Sequence, residues 1–207
     1  MRIIFFIIIS NLILLAQNNV NHPGHETRDN WIVLQDDSHD TWIGYNETPD
    51  INWCRAISTL PFSMDKIAKM IEDKGNYYNI FDRVTQSRVV GDDMVYIRID
   101  MPFPLSDRDY LVRYTTKKSL NIASYNFQAV KEYDFPVFSS SVRLENAAGE
   151  WYLEKIGDSS TQVVYTWNGE LGGSFPSYAL TRAWDTQGNE MINWLEESLE
   201  ELYLYKD

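Results

Sequence analysis

The alternation of apolar and polar residues divides the chain into an apolar beginning, a mixed middle and a helical end. Residues 3–16 are apolar apart from Ser10 and Asn11, and a polar stretch without periodicity follows. After Ser63, apolar positions recur three and four residues apart, which predicts a helix. From Val84 onward they alternate between short turns, which predicts strands.

The same pattern gives the order of the elements in the middle of the chain. Residues 26–37 favour a short helix, and a second helix is expected between a capping Ser63 and a terminating Gly75. Strands are predicted at residues 41–45, 51–59, 84–90, 94–100, 110–117, 122–133, 139–146, 151–156 and 162–168.

A long helix is predicted to close the chain after Gly173. We expect Ser174 to cap this helix and Pro176 to lie in its first turn, where proline is tolerated. Gly188 is expected to bend or interrupt it. This order of elements is that of an α+β domain, and the close turns predict an antiparallel meander that can curve around the last helix.

Composition limits the partners that such a domain can bind. The chain of 207 residues fits one domain, and 44% hydrophobic residues are enough for a core. A net charge of −12 argues against binding of nucleic acid and against electrostatic adhesion to anionic membranes. A neutral ligand and transient contact with a zwitterionic membrane remain compatible with that charge.

The apolar beginning has the features of a secretory signal. One positive charge at Arg2 precedes the apolar run, which ends at the small residue Ala16 and is shorter than the ~20 residues that span a membrane. We therefore predict a signal peptide at residues 1–16 and a secreted or periplasmic protein, with an uncleaved membrane anchor as the alternative. The single cysteine, Cys54, allows no internal disulfide.

Residues 101–110 predict a stiff corner between two strands. Pro102 and Pro104 lack the N–H that a sheet ladder needs, and the Ser-Asp-Arg-Asp sequence that follows favours a turn. An ion pair from Arg108 to Asp107 or Asp109 is the preferred interpretation of the charges in this corner.

This corner resembles the corner of START domains, the steroidogenic-acute-regulatory-related lipid transfer family, and is nearest to the phosphatidylcholine-transfer type. Residues 149–154 with 161–165, and residues 172–177 before the last helix, also resemble that family. The similarity covers residues 31–204. It implies a helix-grip fold, in which a curved antiparallel sheet wraps around a long C-terminal helix, with an internal hydrophobic cavity in a lipid-binding domain at residues 26–207.

The resemblance also bears on single residues. It implies that Arg108, which matches the corner arginine of the family, could meet a lipid phosphate. In sterol-transporting members a cavity arginine comes five residues after the corner aspartate, and here that position is Tyr114. A steroid-type polar contact is therefore not expected at that position.

Strand alternation and small helix residues give the candidate ligand-binding residues. They share an inward position on the predicted sheet or on the closing helix, and the alternative is that they are ordinary core residues. They are Ile97, Ile99, Arg108, Tyr110, Tyr114, Tyr125, Phe127, Trp151, Tyr165, Trp167, Ala179 and Ala183.

The sequence favours a non-catalytic carrier. The three histidines, His22, His25 and His39, lie before the predicted sheet, and the chain has no motif for a catalytic triad, a cofactor or a metal. We therefore predict binding and transfer of a hydrophobic molecule, such as a lipid, with no cofactor and no nucleic acid. The alternatives are an aromatase/cyclase-like enzyme acting on a polyketide-like substrate and an interaction domain with a filled core.

Overall fold

The computed structural model of the chain describes residues 23–24, 28–48, 51–131, 135–136 and 140–205. The predicted signal peptide lies outside these residues and stays a prediction. Within the described ranges, no helix is long and apolar enough to cross a bilayer.

One large sheet and two α-helices make up most of this described part. The helices are α1 (Met64–Glu72) and α2 (Leu180–Tyr203), and two short 3₁₀ helices occupy Lys74–Asn79 and Ser177–Ala179. The strands are β1 (Ile32–Gln35), β2 (Thr41–Glu47), β3 (Asn52–Leu60), β4 (Val84–Gly91), β5 (Met94–Ile99), β6 (Asp107–Lys118), β7 (Ile122–Ala129), β8 (Ser141–Arg143), β9 (Ala148–Gly157) and β10 (Ser160–Asn168).

Nine strands form an antiparallel sheet in the order β1-β2-β3-β10-β9-β7-β6-β5-β4. The sheet begins and ends at different strands, so it is open, and α2 lies against its β1–β3 end. This is the α+β helix-grip arrangement predicted from the sequence, with the C-terminal helix held by the sheet.

Close packing fixes α2 on the sheet. A side chain at Gly188 would start 3.0–3.3 Å from Ile43 of β2, so only glycine lets the helix come this near. Trp184 donates from Nε1 to the carbonyl of Gly169 at 2.8 Å, and its ring lies 5.1 Å from that of Tyr45. The helix runs without interruption through Gly188, so an interruption there, one of the two predicted effects of this glycine, was wrong.

Helix α1 packs against β9, in the middle of the sheet, and against α2. Its apolar residues are buried at helical spacing, and Asp65 lies in the first turn, where the helix dipole favours an acid. Ser63 is the N-cap, as predicted, although its side chain makes no capping bond. The following 3₁₀ helix buries Tyr77, whose ring lies 5.2 Å from that of Phe81, so these two aromatic residues join the core.

Three further expectations were wrong. The described part of residues 26–37 contains strand β1 rather than a helix, because these residues pair with β2. Strand β8 pairs in parallel with β6 and does not continue the meander. The last helix begins with the 3₁₀ turn at Ser177 and not at Ser174, since the chain turns at Gly172 and Gly173, whose φ angles are +58° and +59°.

Candidate ligand-binding cavity

A cavity of about 350 Å³ separates α2 from β5 and β6. This volume is at the lower end of the ~300–1,000 Å³ that small-molecule pockets occupy. Apolar side chains dominate its wall, including Ile97 and Ile99 from β5 and Met191 from α2. Ala179 and Ala183 face it from the first turns of the helical segment, and their small side chains leave the space open.

Aromatic rings line one side of the cavity. Phe81, Trp151, Tyr165 and Trp167 form a row, with centroids 5.9, 4.2 and 4.9 Å apart between successive rings. All four are buried, and Trp151 faces Tyr165 across the β9–β10 pairing. Stacked rings give the cavity a flat, rigid and apolar wall.

Four tyrosine hydroxyls lie among these apolar groups, and they differ in their partners. Tyr77 donates to the carbonyl of Ile71 at 2.6 Å and is also hydrogen-bonded to Tyr114. Tyr110 and Tyr165 line the cavity, and neither hydroxyl has a hydrogen-bond partner among the described residues. Burial raises the pKa of each of the four phenols, so all four remain protonated.

Arg108 is buried beside the cavity and is held by backbone carbonyls. Its Nε donates to Leu171 at 2.7 Å, and its two Nη atoms donate to Ser106 and to Gly172. Burial lowers the pKa of this guanidinium. The predicted ion pair with Asp107 or Asp109 was wrong, because Arg108 ties the corner to the loop before α2 instead.

The two aspartates of the corner pair with other arginines. Asp107 accepts from Nε and Nη2 of Arg98 at 2.9 and 2.6 Å. Asp109 is fully buried and accepts from Nε and Nη2 of Arg143 at 2.7 and 3.2 Å. Arg143 belongs to β8, so this pair attaches that parallel strand to the sheet beside the cavity.

A further ion pair joins α2 to the β4 side of the cavity. Arg83, just before β4, donates from Nε and Nη2 to the two carboxylate oxygens of Glu190 at 2.7 and 2.6 Å. The hydrogen bonds that Arg83 donates to Glu190 raise the pKa of its guanidinium. Both residues line the cavity, so the wall has charge there, but the charge is paired.

The lining residues that are exposed to solvent include Pro102 of the corner and Arg182 of α2, which places the mouth of the cavity between the corner and the start of the C-terminal helical segment. Pro102 and Leu105 line it from the corner, and Phe175 lines it from the opposite loop. Two aromatic side chains near this mouth point into solvent. Phe103 is 98% exposed and Tyr178 is 88% exposed.

The structure brings eleven of the twelve predicted binding residues to the cavity wall. The exception is Tyr125, whose hydroxyl donates to Glu72 at 2.7 Å and whose ring lies 5.8 Å from the Nζ of Lys118. Whether any of the twelve binds a ligand stays a prediction.

Sequence alternation missed the lining residues that come from helices and loops. Examples are Tyr77, Arg83, Leu144, Gln187 and Glu190. The helical spacing of Gln187 and Glu190 with Ala183 was the available signal, because residues three and four apart share a helix face. The described residues hold no group of three or more His, Cys, Asp or Glu arranged to bind a metal ion.

Comparison by sequence gives limited information. No family model matches the chain. An uncharacterised protein from Pseudomonas aeruginosa is 32% identical over 87 residues, which is 42% of this chain and 43% of that protein. The match thus spans less than half of either protein.

Comparison by structure gives a consistent result. A STAR-related lipid transfer protein from Xanthomonas axonopodis matches with a TM-score of 0.72 and 22% identity over 83% of this chain and 99% of that structure. Human StAR-related lipid transfer protein 5 matches with a TM-score of 0.75 and 14% identity over 86% and 90%. An aromatase/cyclase from Streptomyces sp. R1128 matches with a TM-score of 0.52 and 14% identity over 74% and 97%.

Proposed function

We propose that this chain, which has the fold of START lipid transfer domains, binds one hydrophobic molecule such as a lipid in its cavity and carries it. The observation that carries the proposal is the apolar cavity of about 350 Å³ between the sheet and α2. A filled core would leave no such space, so an interaction domain without a ligand is a poorer account of this interior.

The energetics of such binding need no charged or catalytic group. Each methylene that moves from water into an apolar site gains ~0.8 kcal/mol. A single hydrocarbon chain therefore gains enough from burial to remain bound during transfer through water. The rigid aromatic wall adds contact area with little loss of side-chain entropy, because its rings are already stacked.

Transfer also requires a route in and out of the cavity. We propose that the start of the helical segment moves away from the corner to open the mouth, and that this mouth contacts a membrane transiently. Phe103 and Tyr178 support this proposal, because exposed aromatic side chains of this kind partition into a membrane interface. The negative net charge favours a zwitterionic surface over an anionic one.

The test is to fill the cavity from α2. Ala183 lines the cavity, whereas Thr181 is exposed two residues earlier on the same helix and does not line it. Ala183→Phe and Thr181→Phe add an aromatic ring at these two positions. Each variant is mixed with the uncharged fluorescent probe N-phenyl-1-naphthylamine, and the purified wild-type protein is also analysed for co-purified lipid by native mass spectrometry.

We expect the wild type and Thr181→Phe to bind the probe equally and Ala183→Phe to lose most of the binding. Urea unfolding checks that both variants are folded. Equal binding by the two variants, or a wild type that neither carries nor takes up any hydrophobic molecule, would contradict the carrier function.

An aromatase/cyclase-like enzyme is the second candidate. It is favoured by the phenols in the cavity wall, which could act as proton donors to a polyketide-like substrate. The raised pKa values of Tyr114 and Tyr165 make these phenols poor acids, and the carboxylate of Glu190 is tied to Arg83, so the carrier is the better account. Product formation that is lost in Tyr114→Phe, with probe binding unchanged, would reverse this order.

A further inference from the structure

Two phenol hydroxyls on the cavity wall have no acceptor in the described part of the protein. They are the hydroxyls of Tyr110 on β6 and Tyr165 on β10. The neighbouring Nε1 of Trp167 is also buried without a partner. Polar groups inside proteins are nearly always paired, so these donors need an acceptor from beyond the described residues, and a bound molecule in the cavity can supply one.

The other phenols of the cavity show that this lack of partners is local. Tyr77 donates a hydrogen bond to the carbonyl of Ile71, and Tyr114 is hydrogen-bonded to Tyr77. Their hydrogen bonds therefore stay within the protein. The hydroxyls of Tyr110 and Tyr165 are instead available to a molecule in the cavity. Both remain protonated donors because burial raises the pKa of each phenol.

The position of the two donors is inside the cavity and not at its rim. Tyr110 follows Arg108 by two residues on β6, which places it ~7 Å further along the strand from the corner at the mouth. Tyr165 lies in the row of stacked rings, between Trp151 and Trp167, and is 5% exposed. A group that meets these hydroxyls is therefore part of the buried portion of the ligand.

The charges on the wall indicate that this group is neutral. Arg83 is paired with Glu190, and Arg108 donates to three backbone carbonyls. Arg182 also lines the cavity but is exposed to solvent. An anion next to Tyr110 and Tyr165 would be buried without a free cation beside it, which is strongly unfavourable.

We propose that the bound molecule carries an uncharged oxygen, a hydroxyl or a carbonyl, in its buried portion, and that Tyr110 and Tyr165 donate hydrogen bonds to it. This inference rests on the proposed carrier function and narrows its ligand class. A lipid that enters with plain hydrocarbon first would leave both phenols without an acceptor. An alcohol or ketone on a hydrophobic frame satisfies them.

The test compares three probes of equal chain length: dodecane, dodecan-1-ol and dodecanoate. Each probe displaces N-phenyl-1-naphthylamine from the wild type, from Tyr110→Phe, from Tyr165→Phe and from the double variant. Tyr78→Phe is the control, because Tyr78 is half-exposed and does not line the cavity. Since the two hydroxyls have no partner among the described residues, the variants should keep the urea midpoint of the wild type.

We expect dodecan-1-ol to bind the wild type more tightly than dodecane or dodecanoate do. Each cavity Tyr→Phe change should weaken dodecan-1-ol about 2- to 10-fold, which is the range of one net hydrogen bond, and should leave dodecane unchanged. Tyr78→Phe should have no effect. Displacement by all three probes with no change of preference in the variants, or tighter binding of dodecanoate, would overturn this inference and leave the carrier function intact. A wild type that does not bind N-phenyl-1-naphthylamine would overturn both.

Discussion

At the scale of single residues, the corner shows how neighbouring charges take different roles. Asp109 is fully buried and accepts from Arg143, and the hydroxyl of Tyr96 donates to it at 3.1 Å. Burial, and then the charge of Asp109, raises the pKa of Tyr96 to about 12. Two donors and one buried carboxylate thus form a compact network that connects β5, β6 and β8.

Replacing the carboxylate tests whether this network stabilises the fold. Asp109→Asn removes the charge that compensates Arg143, and breaking such a pair from one side is costly. Because Arg143 is partly exposed, we expect a loss of about 2 to 3 kcal/mol in the free energy of unfolding, measured in urea.

The matched control is Asp158→Asn. Asp158 pairs with Lys155 at 2.9 Å on the surface, and exposed pairs of this kind contribute little. We expect no measurable change in its unfolding midpoint. Similar losses in the two variants would mean that burial does not distinguish the two ion pairs.

The corner also shows what the sequence could and could not predict at this scale. Alternation along β5 and β6 correctly placed Ile97, Tyr110 and Tyr114 on the inner face, because every second residue of a strand faces the same way. The partners of Arg108 could not be read from its neighbours. Two of its three partners are carbonyls at Leu171 and Gly172, more than sixty residues away, and only the folded chain brings them near.

At the scale of elements, α2 is held to the sheet by close packing on one side and by an ion pair on the other. Its contacts with β1, β2 and β3 are direct, and Gly188 and Trp184 are fixed against Ile43 and Gly169. Across the cavity, the ion pair of Arg83 with Glu190 joins the helix to the β4 side. Breaking a single ion pair is a smaller change than separating packed surfaces, so we expect the helix to open on the cavity side.

Removing that ion pair should make ligand exchange faster. Glu190→Gln weakens a bidentate, charge-assisted contact, and we expect both association and dissociation of N-phenyl-1-naphthylamine to become roughly fivefold faster. The dissociation constant should change little, because the apolar wall is unaltered. Stopped-flow fluorescence measures both rates.

Glu197→Gln is the control for a change of charge on the same helix. Glu197 is exposed and does not line the cavity, so exchange should stay at the wild-type rate. Equal acceleration by the two variants would assign the effect to the charge of the helix, and no acceleration by Glu190→Gln would place the opening elsewhere.

The elements also differ in how far the sequence determined them. The pattern correctly predicted α1 and the long antiparallel strands, because their periodicities are sustained over many residues. Strand β1 was mistaken for a helix, since Trp31 and Leu34 are three residues apart, as on one face of a helix, and a strand of four residues is too short to show a clear alternation. The parallel pairing of β8 depends on Arg143 reaching Asp109, and no local pattern contains that information.

At the scale of the whole molecule, charge and exposed aromatic residues act in opposite directions at a membrane. The net charge is −12, and crowding of acids is visible on α2. There, burial and then the charges of Glu200, Asp40 and Glu197 raise the pKa of Glu196. Near the mouth, Phe103 is almost fully exposed. The protein should therefore be repelled by anionic surfaces and attracted by apolar contact alone.

This opposition predicts a specific dependence on salt. Vesicles of phosphatidylcholine should bind the protein weakly at every salt concentration. Vesicles that also contain phosphatidylglycerol should bind it less at ~0.01 M salt, where the Debye length is ~30 Å, and should approach the phosphatidylcholine level at ~1 M, where it is ~3 Å. Co-sedimentation measures the bound fraction.

Two variants separate contact at the mouth from general adhesion of exposed apolar residues. Phe103→Ser should lower binding to phosphatidylcholine vesicles several-fold. Leu120→Ser, which changes a residue that is 89% exposed in the β6–β7 turn and does not line the cavity, should not. Tighter binding to anionic vesicles at low salt would show that a local basic surface outweighs the net charge. An equal loss of vesicle binding in the two variants would show that the mouth is not the surface that contacts the membrane. If the protein carries a lipid as proposed, it needs its apolar mouth for membrane contact, because its net charge opposes the approach to an anionic surface.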